Sequence, residues 1–305
     1  MKTARRLLTF SAILVLVITT ISAYLRLSQY GMGCADWPAC YGTNAVGELL
    51  LSESSPLFWA RAIHRVTATV AGLLFVAIAV FWWNGWRSNS DRMLSFAPLA
   101  IAAFLAWLGR YTPSSLPAVT MGNLLGGMAA LAVLWWLRTA TVAHPARLAP
   151  RAAAIGLGLM FVQLAIGGLT SARFAAAACP AFPECGALAE AFDIAGLNPF
   201  ADIAQEDIGE GTRQTLHMLH RIFGLAVAIY LLWLGARLRK PGLPLLCLVA
   251  LQVIASVALV FFKLPLMLAV AHNLIAALLI LALVSLAAGS TDAAVAGNSA
   301  AKTPG

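Results

Sequence analysis

Long apolar runs alternate with short polar segments along this chain. Eight runs of about 20 residues, each long enough to cross a bilayer's hydrocarbon, lie near residues 7–25, 58–83, 94–110, 117–137, 152–171, 215–236, 243–262 and 266–288. The pattern predicts an all-α polytopic membrane protein of eight transmembrane helices. The first run, in MKTARRLLTFSAILVLVITTISA, also has the basic start, apolar stretch and small-residue end of a secretory signal. It has a counterpart at 152–171, and its removal would unbalance the fold, so it is expected to stay as a helix.

Composition sharpens this picture. Hydrophobic residues make up 61% of the chain and charged residues 10%, too little charge to cover a soluble domain of this length. The net charge of +8 follows the segments. Lys2, Arg5 and Arg6, then Arg87 and Arg92, then Arg138, Arg147 and Arg151, then Arg237, Arg239 and Lys240 fall in every second polar segment. The alternate segments hold most of the acids, among them Asp36, Glu48, Glu53, Glu184, Glu190, Asp193 and Glu210. The positive-inside rule therefore places both termini of this multi-pass protein in the cytoplasm. The basic balance is accounted for by topology, and no nucleic-acid partner is expected.

The chain also repeats itself. AYLRLSQYGMGCADWPAC is echoed by GGLTSARFAAAACPAFPEC, IHRVTATVAGLL by LHRIFGLAVAIY, and LPAVTMGNLLGGMAALAVL by LPLMLAVAHNLIAALLILA. Two four-helix units in parallel repeat, pseudo-symmetric about an axis along the membrane normal, are expected. Residues 1–140 form the first bundle and 141–290 the second; the small, polar tail 291–305 reads as disordered.

Each unit carries two cysteines with five residues between them, Cys34 and Cys40, then Cys179 and Cys185. Facing outward, they sit where disulfides persist, and a bridge is the expected state of each pair. A thiol metal site would need nearby histidine or further cysteine. Structural and electron-exchanging bridges both fit. Cys247 reads as an inert, small apolar residue.

Four of the five histidines lie in apolar spans near their outer ends, where ionisable groups are costly and mark function. His64 and His220 hold equivalent positions, each followed by an arginine, Arg65 and Arg221. His272 lies near the start of the last span. Two imidazoles at matched depth in one bundle can be the axial ligands of a haem iron, and Arg221 can pair with a propionate. Hydrogen bonds between helices are the simpler alternative. His217 suits either the pocket or a neighbouring helix, and His144 is a solvated loop residue. In the first unit Asn123 takes the place of His272, and Arg61 that of His217. Gly122, Gly126, Gly127 and Ala129 thin the fourth helix and predict a haem-sized cavity beside Asn123.

With GCADWPACYG, IHRVTATVAGLL, NLLGGMAALAVLWWL, GGLTSARFAAAACPAFPECG, LHMLHRIFGL and LPLMLAVAHN in view, the chain resembles the haem A synthase family of cytochrome oxidase assembly proteins. The resemblance implies eight helices in two halves and a haem b in the C-terminal half, held by His220 and His272. It also implies an N-terminal half that receives haem O and oxidises its C8 methyl to formyl, with His64 facing the substrate iron. That family half usually carries a glutamate where Arg61 stands and a histidine where Asn123 stands. Arginine stays charged and cannot act as a base.

The leading reading is thus an oxidoreductase making haem A beside the terminal oxidase, with haem O synthase as a neighbour and membrane lipid as its solvent. A non-catalytic haem b protein, used for electron transfer or oxidase assembly, is the alternative. A secondary transporter would need Gly/Pro-broken mid-span segments, whereas Pro117 and Pro265 lie at span ends.

Overall fold

The computed structural model describes residues 2–29, 55–81, 83, 89–112, 115–141, 149–181, 185, 194–203 and 208–288. Cys34, Cys40, His144 and the tail 291–305 lie outside the described residues. Nine α-helices and no strand appear among those described: α1 (Lys2–Gln29), α2 (Pro56–Phe81), α3 (Asn89–Leu94), α4 (Ala97–Leu108), α5 (Pro117–Ala140), α6 (Pro150–Ala172), α7 (Gly209–Leu238), α8 (Leu243–Phe261) and α9 (Leu266–Ala287). They make eight stretches long and apolar enough to cross a membrane, with α3, α4 and a following 3-10 turn sharing the stretch Asn89–Tyr111. The protein is all-α and multi-pass.

Local chemistry sets the helix ends. Prolines stand in the first turns of α2, α4, α5, α6 and α8, where the missing N–H costs nothing and the fixed φ favours the helix. Ser55 adds a cap to α2, its Oγ accepting from the Leu57 N–H at 3.2 Å. The third span breaks at Ser95–Phe96 because Pro98 has no N–H to offer the carbonyl of Leu94. Between α8 and α9 the chain reverses through Lys263 and Leu264, both at positive φ. The Leu264 N–H reaches back to the Leu259 carbonyl at 2.7 Å, closing the helix end.

α1 packs against α2, α5 and α9, and α6 against α5, α7 and α9. α8 lies against both α7 and α9, and α4 lies along α5 but meets α2 over a much shorter stretch than α7 meets α8. α5 and α9 are the most enclosed spans, with 44% of each buried. One apolar core runs through both halves, from Leu8 and Val15 past Leu131 and Leu134 to Leu231 and Leu283. The opposite helix faces are apolar and exposed, as at Leu73 and Phe261. In water such surface would aggregate; in lipid it is the solvated face.

Polar contacts tie the halves together. Arg26 on α1 donates to Ser171 Oγ on α6 at 2.8 Å and to Asn273 Oδ1 on α9 at 2.9 Å. At the start of α5, Ala118 N–H donates to the Pro199 carbonyl at 2.7 Å, while Ile203 N–H reaches Ser115 O at 3.1 Å. The loop before α7 is thereby fastened to the first half.

Candidate functional site

The site is built on α6, α7, α8 and α9, which form a ring: each helix touches the next, and α6 closes onto α9. α7 and α9 therefore occupy opposite corners, as do α6 and α8. His220 projects from α7 and His272 from α9, so the two histidines expected to work together stand on opposite corners of one ring.

Each imidazole is held by a glutamine from a neighbouring corner. Gln163 Nε2 on α6 lies 3.0 Å from His220 Nδ1 and donates to the His220 carbonyl, also at 3.0 Å. Gln252 Nε2 on α8 lies 3.3 Å from His272 Nδ1 and 3.2 Å from its Nε2. Ser256, one turn beyond Gln252, places its Oγ 3.4 Å from His272 Nδ1.

Two glycines make room for these side chains. A Cβ on Gly167 would lie 2.8 Å from His220 Cε1, and one on Gly224 would lie 2.9 Å from Gln163 Nε2. Bare backbone at both points lets α6 and α7 approach with the ring between them. Both glutamines keep a buried Oε1 with no partner. An unpartnered buried acceptor costs roughly 1–3 kcal/mol, which marks the arrangement as built for more than helix packing.

Sequence reasoning named the histidines and left Gln163 and Gln252 without a role. A polar amide in the middle of an apolar span was the available signal. Its partner depends on which helices are neighbours, and spacing along one helix does not supply that.

One turn before His220, His217 is buried, with its Nδ1 unpartnered, and it lies within hydrogen-bond reach of the Ala175 backbone. It thus faces the turn after α6. Arg221 donates from Nη2 to the Cys179 carbonyl at 2.9 Å and from Nη1 to the Ala181 carbonyl at 3.1 Å. Those carbonyls belong to the loop that the Cys179–Cys185 disulfide closes, with Cα atoms 4.8 Å apart. Both sulfurs lie over the Gln214 carbonyl of α7, at 3.8 and 3.9 Å. Cys247 is a free thiol on an exposed face of α8.

The first half is put together differently. His64 is half-buried on α2, with Arg65 exposed beside it and Arg61 half-buried one turn earlier. Asn123 on α5 donates to Thr112 Oγ1 at 3.0 Å. The neighbouring glycines are filled by adjoining helices: a Cβ on Gly122 would meet Leu108 Cδ2 at 2.6 Å, one on Gly126 Leu105 Cδ2 at 2.7 Å, and one on Gly127 Thr19 Cγ2 at 2.9 Å. These glycines serve close helix packing, which corrects their reading as the opening of a cavity.

With this geometry established, comparison with known proteins is informative. The model of the cytochrome oxidase assembly protein family matches residues 5–284. The chain belongs to that family. Among curated members, the haem A synthase of Shewanella oneidensis is 33% identical over 92% of this chain and 94% of its own length. The haem A synthase of Hyphomonas neptunium is 26% identical over 55% of this chain and 58% of its own. A shorter stretch, 33% of this chain, is 30% identical to 19% of protoheme IX farnesyltransferase 1 of Natronomonas pharaonis. Family membership therefore spans both halves and includes His220 and His272.

Proposed function

We propose that this protein is a haem A synthase of a bacterial inner membrane, converting the C8 methyl of haem O to formyl for the terminal oxidase. The carrying observation is the arrangement in which His220 and His272 stand on opposite corners of a helix ring, each beside a glutamine. The near-full-length similarity to a curated haem A synthase supports the same reading.

The donor set fits a haem b. A ligating imidazole binds iron through one nitrogen and is orientated through the other. Gln163 Nε2, anchored by its hydrogen bond to the His220 carbonyl, stands at His220 Nδ1 and fixes the orientation of that ring. Gln252 and Ser256 offer His272 the same service. When bound, the haem supplies one-electron redox chemistry. The protein's own groups hold both rings at fixed orientation, exclude water with the surrounding apolar core, and brace the outer side. Arg221 shares its guanidinium between the disulfide loop and a haem propionate.

The substrate haem O is assigned to the first half, with His64 on α2 facing its iron and Arg65 beside it. α2 meets α4 over a shorter stretch than α7 meets α8. Asn123 stands where His272 stands. The first half thus lacks the second imidazole, which would leave a position at the substrate iron open to oxygen. The tight packing at Gly122 and Gly126 and the Asn123–Thr112 bond favour a second reading, a haem b protein whose first site has lost catalysis.

One experiment separates these readings. A host lacking haem A synthase, supplied with a haem O source and this gene, is extracted and its haems are separated. Haem A that disappears in His64→Ala establishes the synthase. Unconverted haem O together with a low-spin b spectrum establishes the alternative.

A further inference from the structure

At the edge of the molecule where α1 begins and α5 ends, three arginines meet across a cleft. Arg5, Arg6 and Arg138 line about 520 Å³ of space together with Thr9, Phe10 and Ile13. Neither the His220–His272 site nor His64 belongs to it.

The guanidinium of Arg138 is held between α1 and a tryptophan of its own helix. Its Nε donates to Thr9 Oγ1 on α1 at 3.0 Å, and its plane lies 4.2 Å from the centre of the Trp135 ring. Trp135 is itself fixed, donating its indole N–H to Ser285 Oγ on α9 at 2.7 Å. Thr9 Oγ1 in turn donates to the Arg5 carbonyl at 2.7 Å. Every one of these partners is neutral. A guanidinium orientated in this way, with its terminal nitrogens left over, is prepared for a bidentate acceptor.

Among the described residues no ion pair answers the charge of the cleft, and no carboxylate lines it. Arg5 and Arg138 are near enough to repel each other. Of the 12 acidic residues, 10 lie in the segments 36–53 and 184–210, which lead into α2 and α7 in the chain. The lining offers an anion three guanidinium groups and no carboxylate.

The walls say what kind of anion fits. Phe10 and Ile13, each 53% exposed, continue the cleft along α1 away from the arginines. A polar, cationic floor thus passes into an apolar wall within two helical turns. Free phosphate would use the floor alone, whereas an amphiphile would use both. Basic clefts between transmembrane helices at a charged membrane edge take anionic lipid head groups.

We propose that this cleft binds the phosphate of an anionic phospholipid between Arg5, Arg6 and Arg138, with an acyl chain along Phe10 and Ile13. The site belongs to the fold and is independent of the haem assignment.

The test uses the full-length protein in mild detergent. Native mass spectrometry measures binding of phosphatidylglycerol and of phosphatidylcholine, and thermal unfolding is followed with each lipid and with millimolar inorganic phosphate. Wild type is expected to hold phosphatidylglycerol in preference to phosphatidylcholine and to be stabilised by it. The Arg5→Gln/Arg138→Gln variant should bind about tenfold or more weakly. Arg5→Gln alone, at an exposed position, should show the same direction if the double variant does not fold. Arg237→Gln/Lys240→Gln removes the same charge from the same membrane edge and should leave binding unchanged. Equal weakening in that control would reduce the effect to general surface attraction and overturn the site. So would equal binding of the two lipids, and stabilisation by phosphate matching that by phosphatidylglycerol would make it a site for a free anion.

Discussion

At the scale of single residues, the site depends on what Gly167 lacks. Its α-carbon faces the His220 ring so closely that one methyl group must displace the ring. Gly167→Ala should leave the helices intact and lower bound haem per protein several-fold, measured as the pyridine haemochrome against protein mass. His220→Ala and His272→Ala should each abolish the low-spin b spectrum. A low-spin spectrum persisting in both variants would remove the assignment. Gln163→Leu should retain haem but weaken it by about 10- to 100-fold, the usual cost of removing the partner of a ligating histidine, and shift its midpoint potential. The histidines were legible in the sequence because ionisable groups in apolar spans are rare. The glutamines' partners and the glycines' contacts were not, since both depend on which helix lies opposite.

At the scale of elements, α7 joins His220 to the loop closed by the disulfide. Gln214 underlies the sulfurs, Arg221 grips two loop carbonyls, and His220 follows immediately before it on the helix. Cys179→Ser/Cys185→Ser should cost about 2 kcal/mol, the loop-closure entropy of so short a ring. It should also loosen Arg221, read as a lower melting temperature and faster amide exchange near residue 181. Non-reducing peptide mapping should recover the Cys179–Cys185 pair and a second Cys34–Cys40 pair; free thiols at 34 and 40 would defeat the latter. Helix ends were only partly legible. The apolar run near 215–236 grew into Gly209–Leu238 and the run near 7–25 into Lys2–Gln29. Hydropathy marks the part of a helix that lipid touches, whereas backbone hydrogen bonding continues through GEGTRQ and KTARR until capping or chain reversal stops it. The break before Pro98 divides the run near 94–110 in a way that its even hydropathy conceals.

At the scale of the whole molecule, the internal echoes led to an expectation of two matched four-helix units. The helix contacts trace one ring in each half, α1–α2–α4–α5 and α6–α7–α8–α9, and join them through a shared interior in which α5 and α9 are the most enclosed. Repetition is visible in sequence because it compares like with like; the seam between copies is not, because it is made of unlike surfaces such as Arg26 against Ser171 and Asn273. If the departures at positions 61 and 123 limit catalysis, Arg61→Glu with Asn123→His should raise haem A yield in the synthase-deficient host above that of the parent. No gain, with full haem A already present, would show that this half works with arginine and asparagine. Arg26→Ala should destabilise the assembled protein by roughly 1–3 kcal/mol, by stranding its partially buried partners. Its effect on the b spectrum should exceed that of an exposed control, because Asn273 adjoins His272.

The contact of α1 with α9 has a further consequence for biogenesis. α1 is made before α9, so a wall of the core stays unfinished while the helices between them are inserted. Arg26 must wait in the bilayer for Asn273, its side chain poorly accommodated by lipid until then. Chains halted before α9 should therefore be substrates for membrane quality control rather than half-working enzymes. On the haem b reading proposed above, cofactor capture by His272 and closure of the helix assembly would be one and the same late event in the life of the protein.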